Sequence, residues 1–244
     1  MMRAIFNRQV ATSQDCFLQT LLNRRDFAER MSRHPMHARL LDGLPNRPGD
    51  RVLELGCGPG KYIALLSTLG FRVIGTDPLE FPTWQTIRKR TNAELMSRIV
   101  AEQLPFPDAS FDHVVCLGAL LYFNDPDLAF HEMRRVIKLG GRLVLRTVNR
   151  DNFYTSVTGK RLDPASKHLY TTEELKNLVS RHGFSVVRNF TFGFWPPLFT
   201  TAWWYLTCVC LPLWLQTLLS ALTPPRRRVN ITIFAIAADQ TSVE

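Results

Sequence analysis

Between Arg51 and Ala238 the chain alternates short apolar runs with stretches of helical spacing, and this alternation limits the fold more than any other feature. Strand-like runs fall at Arg51–Leu55, Phe71–Asp77, Ser97–Val100, Phe111–Leu117, Arg142–Val148, Phe184–Phe192 and Val229–Ala238. Helical stretches fall at Lys61–Leu69, Trp84–Leu95 and Asp125–Lys138, the last opening on Asp-Pro and closing at Gly140-Gly141. Thr171-Thr172-Glu173-Glu174 is a capping signature that opens a further helix ending at Gly183. Such alternation predicts an α/β fold, a parallel sheet with helices on both faces. Ligands on such sheets bind at the carboxyl ends of the strands. The loops after Leu55, Thr76, Val100, Leu117 and Val148 are therefore expected to line one crevice.

The first of these loops is the richest in glycine. Glu54-Leu55-Gly56-Cys57-Gly58-Pro59-Gly60 follows a strand and precedes a helix. Its glycines allow a sharp turn and let a ligand pack directly against main-chain N–H groups. A dinucleotide fingerprint would need a third glycine at position 61, where Lys61 stands, so the spacing speaks against a pyrophosphate.

The run E-L-G-C-G-P-G resembles motif I of the class I S-adenosylmethionine-dependent methyltransferases. Further matches follow in order. Asp77 corresponds to the acidic residue that binds the ribose hydroxyls, and a carboxylate suits a vicinal diol. Ala101-Glu102-Gln103-Leu104-Pro105-Phe106-Pro107-Asp108 is similar to the segment that lies against adenine. Phe111-Asp112-His113-Val114-Val115-Cys116 and Arg134-Arg135-Val136-Ile137-Lys138-Leu139-Gly140-Gly141 match the two stretches around the next strands. Two positions depart from the pattern, Val100 for the Asp that opens the adenine segment and Leu139 for a proline. The resemblance covers residues 45–190. It implies a Rossmann-like, seven-stranded sheet, S-adenosyl-L-methionine as cofactor, and a cofactor site built from Glu54, Gly56, Cys57, Gly58, Gly60, Asp77, Val100, Ala101, Glu102 and Leu117.

Methyl transfer needs the acceptor atom in line with the sulfonium carbon, in a site closed to water. The resemblance places the acceptor against the loops after the fourth and fifth strands and the N-terminal helix. The first loop offers Tyr122, Asn124 and Asp125, with Asp125 reading as a helix cap. Residues 149–170 form a long loop with Tyr154, Lys160, Arg161, His168 and Tyr170. Catalytic candidates are His168 as general base, Tyr122 and Tyr154. Each also has a plain structural role open to it, packing for the tyrosines and an exposed position before a helix for His168.

A hydrophobic insertion separates the last two strands. Residues 189–225 hold no charged side chain, and Trp195, Trp203, Trp204 and Trp214 fall within them. As one helix, Leu198–Leu222 would reach about 37 Å, enough to span a bilayer. The flanking strands must pair in one sheet, so both ends return to the same side, and Pro212 breaks the run. Two short helices lying in one leaflet are expected, with Arg226–Arg228 facing lipid phosphates. A homodimer interface is the alternative.

The expected organisation is an N-terminal helical cap over 1–45, a core over 46–194, the insertion over 195–225 and the last strand with its tail over 226–244. Thirty Lys and Arg against 21 Asp and Glu leave a net charge of +9, which favours an anionic partner. Without a basic stripe interleaved with aromatics, nucleic acid is not expected, and a membrane surface contacted through 195–228 is. The first 25 residues carry arginines and no uninterrupted apolar run, so a secretory signal is not expected, while their Arg-rich composition leaves a mitochondrial presequence open. Five cysteines without a C-x-x-C pair read as reduced thiols, and the six histidines form no metal-ligand spacing. The expectation is a cytoplasmic enzyme held peripherally or monotopically on the membrane, methylating a hydrophobic or amphipathic acceptor such as a quinone precursor or lipid. A soluble dimeric enzyme and a non-catalytic membrane-bound relative are the alternatives.

Overall fold

The computed structural model describes residues 18–45, 47–194 and 213–238. Seven strands form one mixed sheet: β1 (Arg51–Leu55), β2 (Arg72–Asp77), β3 (Glu94–Ser97), β4 (Phe111–Leu117), β5 (Ile137–Val148), β6 (Phe184–Phe192) and β7 (Asn230–Ala237). Their order is β3-β2-β1-β4-β5-β7-β6. The pairings from β3 to β5 are parallel, and β7 runs antiparallel between β5 and β6. The strand order reverses at β1/β4, which places a ligand crevice above the carboxyl ends of those strands.

Helices accompany the sheet: α1 (Arg25–Ser32), α2 (Leu40–Gly43), α3 (Lys61–Thr68), α4 (Trp84–Arg90), α5 (Pro126–Val136), α6 (Phe153–Thr158), α7 (Thr172–Arg181) and α8 (Leu213–Leu222), and residues 18–23 are helical as well. Successive side chains of a strand point to opposite faces, so each strand feeds two cores. On one face Leu53, Val114, Leu143 and Ile233 pack with Phe130 and Met133 of α5 and Leu175 and Val179 of α7. On the other, Val52, Val73, Val115 and Val144 meet Ile63 and Leu66 of α3, Trp84 and Ile87 of α4, and the N-terminal residues Leu21, Ala28 and Leu40.

Several expected elements shift. The third strand lies at Glu94–Ser97 rather than Ser97–Val100, because its parallel register ends at Asp77↔Ser97 and Arg98 turns left-handed at φ +61°. Helix α4 stops at Arg90 instead of reaching Leu95, where Thr91 turns extended and its hydroxyl donates to Ile87 O at 2.9 Å. Strand β5 begins at Ile137, so Gly140-Gly141 is a bulge inside a strand rather than a turn before one. A Cβ at Gly141 would lie 2.6 Å from Asp112 O, which leaves room only for glycine.

Within the insertion, α8 occupies 213–222, and a short 3-10 turn, Pro225–Arg227, leads into β7. The first of the two expected helices, three of the insertion's four tryptophans and the Pro212 break lie outside the described residues, as do positions 1–17 of the expected N-terminal cap. Among the described residues no helix is long and apolar enough to cross a membrane.

Candidate cofactor and acceptor site

The loop after β1 is held in place by side chains from the next βα unit. Trp84 Nε1 donates to Gly58 O at 2.7 Å, and the Thr83 hydroxyl donates to Pro59 O at 2.7 Å. Gly56, Gly58 and Gly60 have φ of +65°, +50° and +84°. A Cβ at Gly56 would come within 2.2 Å of Ala119 Cβ, and one at Gly60 within 2.3 Å of Ile87 Cδ1. At Gly58 a Cβ would meet nothing within 4 Å among the described residues, which leave this side of the loop open.

The main-chain N–H groups of this loop serve the fold. Cys57 N donates to Thr76 O, Gly60 N to Cys57 O, and Gly58 N to Asp77 Oδ2 at 2.9 Å. The loop therefore offers close approach at Gly58, where the sequence reading anticipated a cradle of N–H donors. A cationic ligand without phosphates suits such a surface.

Asp77 closes β2 and is buried, with Leu79 N donating to its Oδ1 at 2.9 Å. Each carboxylate oxygen can accept a second hydrogen bond. Glu54 lies one residue before the end of β1 and is 1% exposed. Burial lifts its carboxyl to about 8, an effect that Lys61 and Arg146 oppose and Asp77 reinforces. Among the described residues, Glu54 Oε2 has no hydrogen-bond partner. A buried carboxyl oxygen without a donor is a place for a ligand cation or donor.

The adenine segment follows β3. Val100 is 39% exposed and Ala101 is buried. The carboxylate of Glu102 turns toward the loop after β4, where Oε1 accepts from Asn124 N at 2.6 Å and Asp125 N at 3.2 Å. This bond fixes the spacing between the two loops. Leu117 is buried at the end of β4, and Gly118, at φ +89°, donates its N–H to Arg146 O.

The three catalytic candidates occupy the loops after β4 and β5. Tyr122 donates its hydroxyl to Asp163 Oδ2, and burial followed by this carboxylate pushes the phenol well above its ordinary range. A phenol so held is a poor base. Leu121 O accepts from Lys167 N and His168 N at 2.8 and 3.2 Å, which brings His168 beside the Tyr122 turn. The His168 ring stacks on Tyr170 with centroids 6.4 Å apart. Tyr154 lies on α6, half-buried, on a different part of the loop. Asp125 caps α5 as anticipated, accepting from Leu128 N at 3.1 Å.

A second polar cluster, which the sequence reading missed, sits between the sheet and the N-terminal helices. Arg146 Nη1 donates to Tyr62 Oη at 2.9 Å and to Met36 O at 2.6 Å. Lys61 Nζ lies 4.5 Å from the centre of the Tyr62 ring, and His37 packs edge-on against that ring at 5.9 Å. Burial alone would raise the Tyr62 phenol, but Arg146 and Lys61 outweigh it and hold it below its ordinary range. Burial, then Lys61, Arg146 and His34, hold His37 well below the usual imidazole range, so it is neutral. Arg146 stands 84 residues from Tyr62 and 110 from Met36, and its one sequence signal is a charge at a core-facing strand position.

Among the described residues no group of His, Cys, Asp and Glu could hold a metal ion. Cys57 and Cys116 are buried free thiols.

A methyltransferase-domain family matches residues 53–145. The 27-O-demethylrifamycin SV methyltransferase of Amycolatopsis mediterranei is 35% identical over 113 residues, which is 44% of this chain and 42% of that protein. A ubiquinone biosynthesis O-methyltransferase of Rhizobium rhizogenes is 28% identical over 188 residues, covering 71% of this chain and 73% of that protein. Some curated relatives of higher identity are matched over only 32% to 42% of their own length. An S-adenosylmethionine-dependent methyltransferase from Mesorhizobium loti superposes with a TM-score of 0.60 at 20% identity, over 82% of this chain and 95% of the other. That likeness establishes the fold.

Proposed function

Because the chain belongs to the class I S-adenosylmethionine-dependent methyltransferases, we propose that it transfers a methyl group to a hydrophobic or amphipathic acceptor embedded in a membrane, such as a quinone precursor or a lipid. Bound S-adenosylmethionine supplies a methyl group activated on a sulfonium. Gly58 would present the open face to the cofactor, Asp77 would accept from the ribose hydroxyls, and the orphan oxygen of Glu54 would take a cationic or donor group. Val100 and Ala101 would border the adenine, and Glu102 holds that segment to the loop after β4. The residues present thus fit the cofactor.

The observation that carries the acceptor class is one of placement. Val148 pairs with Asn230, and Asn230 pairs with Phe192, so the apolar insertion leaves and re-enters the sheet at its cofactor-binding end. An apolar acceptor delivered there meets the loops that carry His168 and Tyr154. His168 remains the proposed base for the acceptor proton, since the Tyr122 hydroxyl is committed to Asp163. Two relatives, one named for 27-O-demethylrifamycin SV and one an O-methyltransferase of ubiquinone biosynthesis, support an oxygen acceptor.

The test incubates purified protein with methyl-labelled S-adenosylmethionine and total membrane lipid, followed by solvent partition. Label is expected in the organic phase, with a mass increase of one methylene on an amphipathic acceptor. Label confined to the aqueous phase would replace this reading with a water-soluble acceptor.

A further inference from the structure

Helix α8 is built the wrong way round for a helix on a water-facing surface. Its sequence, Leu-Trp-Leu-Gln-Thr-Leu-Leu-Ser-Ala-Leu, holds no charge. Thr217 is exposed, while two other small polar groups point inward. Ser220 is 3% exposed and accepts at Oγ from Gly193 N at 3.0 Å. Thr223, directly after the helix, is buried, and Arg228 Nε donates to its carbonyl at 3.0 Å. The large apolar side chains point outward, with Trp214 67%, Leu218 48% and Leu222 73% exposed. At spacings of four they form one stripe about 12 Å long. Water disfavours such a face, and the polar bolts on the other side keep the helix from turning it inward.

Charge stands at the end of this stripe. Arg226 is exposed and forms no ion pair among the described residues. Its turn is rigid, because buried Asn149 donates from Nδ2 to Arg226 O and Arg228 O, both at 2.9 Å. Arg227 donates to Ser156 Oγ and so ties the turn to α6, on which Val157 is 59% exposed.

We propose that the outward stripe of α8, Trp214, Leu218 and Leu222, docks the protein together with Arg226 onto the surface of an anionic lipid membrane. Tryptophan and leucine enter the interface while the guanidinium meets lipid phosphate. A helix of ten residues is about 15 Å long and lies in one leaflet without crossing it. The strands on either side pair with each other, which holds the helix against the cofactor end of the sheet. The inference rests on the proposed acceptor reading only for its purpose, since docking is measurable without catalysis.

The test is flotation of the full chain with vesicles of phosphatidylcholine alone and of phosphatidylcholine with phosphatidylglycerol. The chain is expected to float with the anionic vesicles and to be released by high salt. The Trp214→Glu, Leu218→Glu, Leu222→Glu triple variant is expected to stay at the bottom while still binding S-adenosylhomocysteine, which reports an intact fold. Arg226→Glu should need a larger anionic fraction to float. Wild type that remains at the bottom, or a triple variant that floats as well as wild type, overturns the proposal. A wild-type dimer that the triple variant abolishes, without flotation, assigns the stripe to self-association instead. Asp77→Ala should float normally, and flotation without label in the lipid phase would leave docking intact while removing the acceptor reading.

Discussion

Glu54 shows how one buried residue couples the cofactor loop to pH. Its ordinary carboxyl value is 4.5 and burial lifts it to about 8, so across that window the folded chain holds a proton that the unfolded chain has released. The stability of the ligand-free protein is then whole below pH 4.5 and falls as pH rises toward 8, by at most ~1.4 kcal/mol per pH unit. Glu54→Gln keeps the size and removes the titration. Its melting temperature is expected to lie close to wild type at pH 5 and progressively above it toward pH 8, where the wild-type carboxylate is half ionised. Thermal melts across this range check the point, and a gap that does not change with pH would show that Glu54 is not the titrating group. Sequence showed that a carboxylate stands here, through the glycine run that follows it. It could not show that Oε2 lacks a donor, which depends on Lys61, Asp77 and Arg146 arriving from three other elements.

Elements were legible where the local signal agreed with the packing. Arg51–Leu55, Phe111–Leu117 and Phe184–Phe192 end where expected, because glycine or a polar turn punctuates a run that the sheet buries. Strand β3 lies three residues earlier than its apolar pattern predicts, since Glu94-Leu95-Met96-Ser97 has the composition of a helix and becomes a strand only through its register with β2. Helix α7 is the best-signalled element. Thr171 Oγ1 accepts from Glu174 N at 3.3 Å, and Glu174 Oε2 accepts from Thr171 N at 2.9 Å. Thr171→Ala removes the Oγ1 half of this reciprocal cap, leaves the main-chain half to Glu174, and is expected to cost about 1 kcal/mol. Because α7 seats Leu175, Leu178 and Val179 in the core, the loss should appear in global unfolding. Urea denaturation should show a lower midpoint at unchanged slope. An unchanged midpoint would mean that core packing alone sets the start of the helix.

At the scale of the whole molecule, the N-terminal helices act as a cover fastened at a few polar points. Thr68 Oγ1 donates to Leu21 O at 3.1 Å, Arg90 Nη1 donates to Asn23 Oδ1 at 2.7 Å, and Arg25 reaches Thr68 O and Leu69 O. The fastening nearest the cofactor loop is Arg146, which joins β5 to Met36 O of the cover and to Tyr62 of α3. Its two hydrogen bonds carry charge and are partly buried, so each contributes about 1.5–3 kcal/mol. Arg146→Met keeps the apolar stem and removes both. Local opening of the 34–40 stretch should become ten- to hundred-fold more frequent, a factor of ten corresponding to ~1.4 kcal/mol. Hydrogen exchange followed by mass spectrometry reads this directly. Peptides over 34–40 are expected to exchange faster in the variant, with β1 and β4 unchanged, and S-adenosylhomocysteine is expected to slow the same peptides in wild type. A uniform acceleration that includes β1 and β4 would mean that Arg146 supports the sheet as a whole. Local acceleration would make the cover a separable unit, opening to admit the cofactor while the end of the sheet beside α8 stays in place for the acceptor.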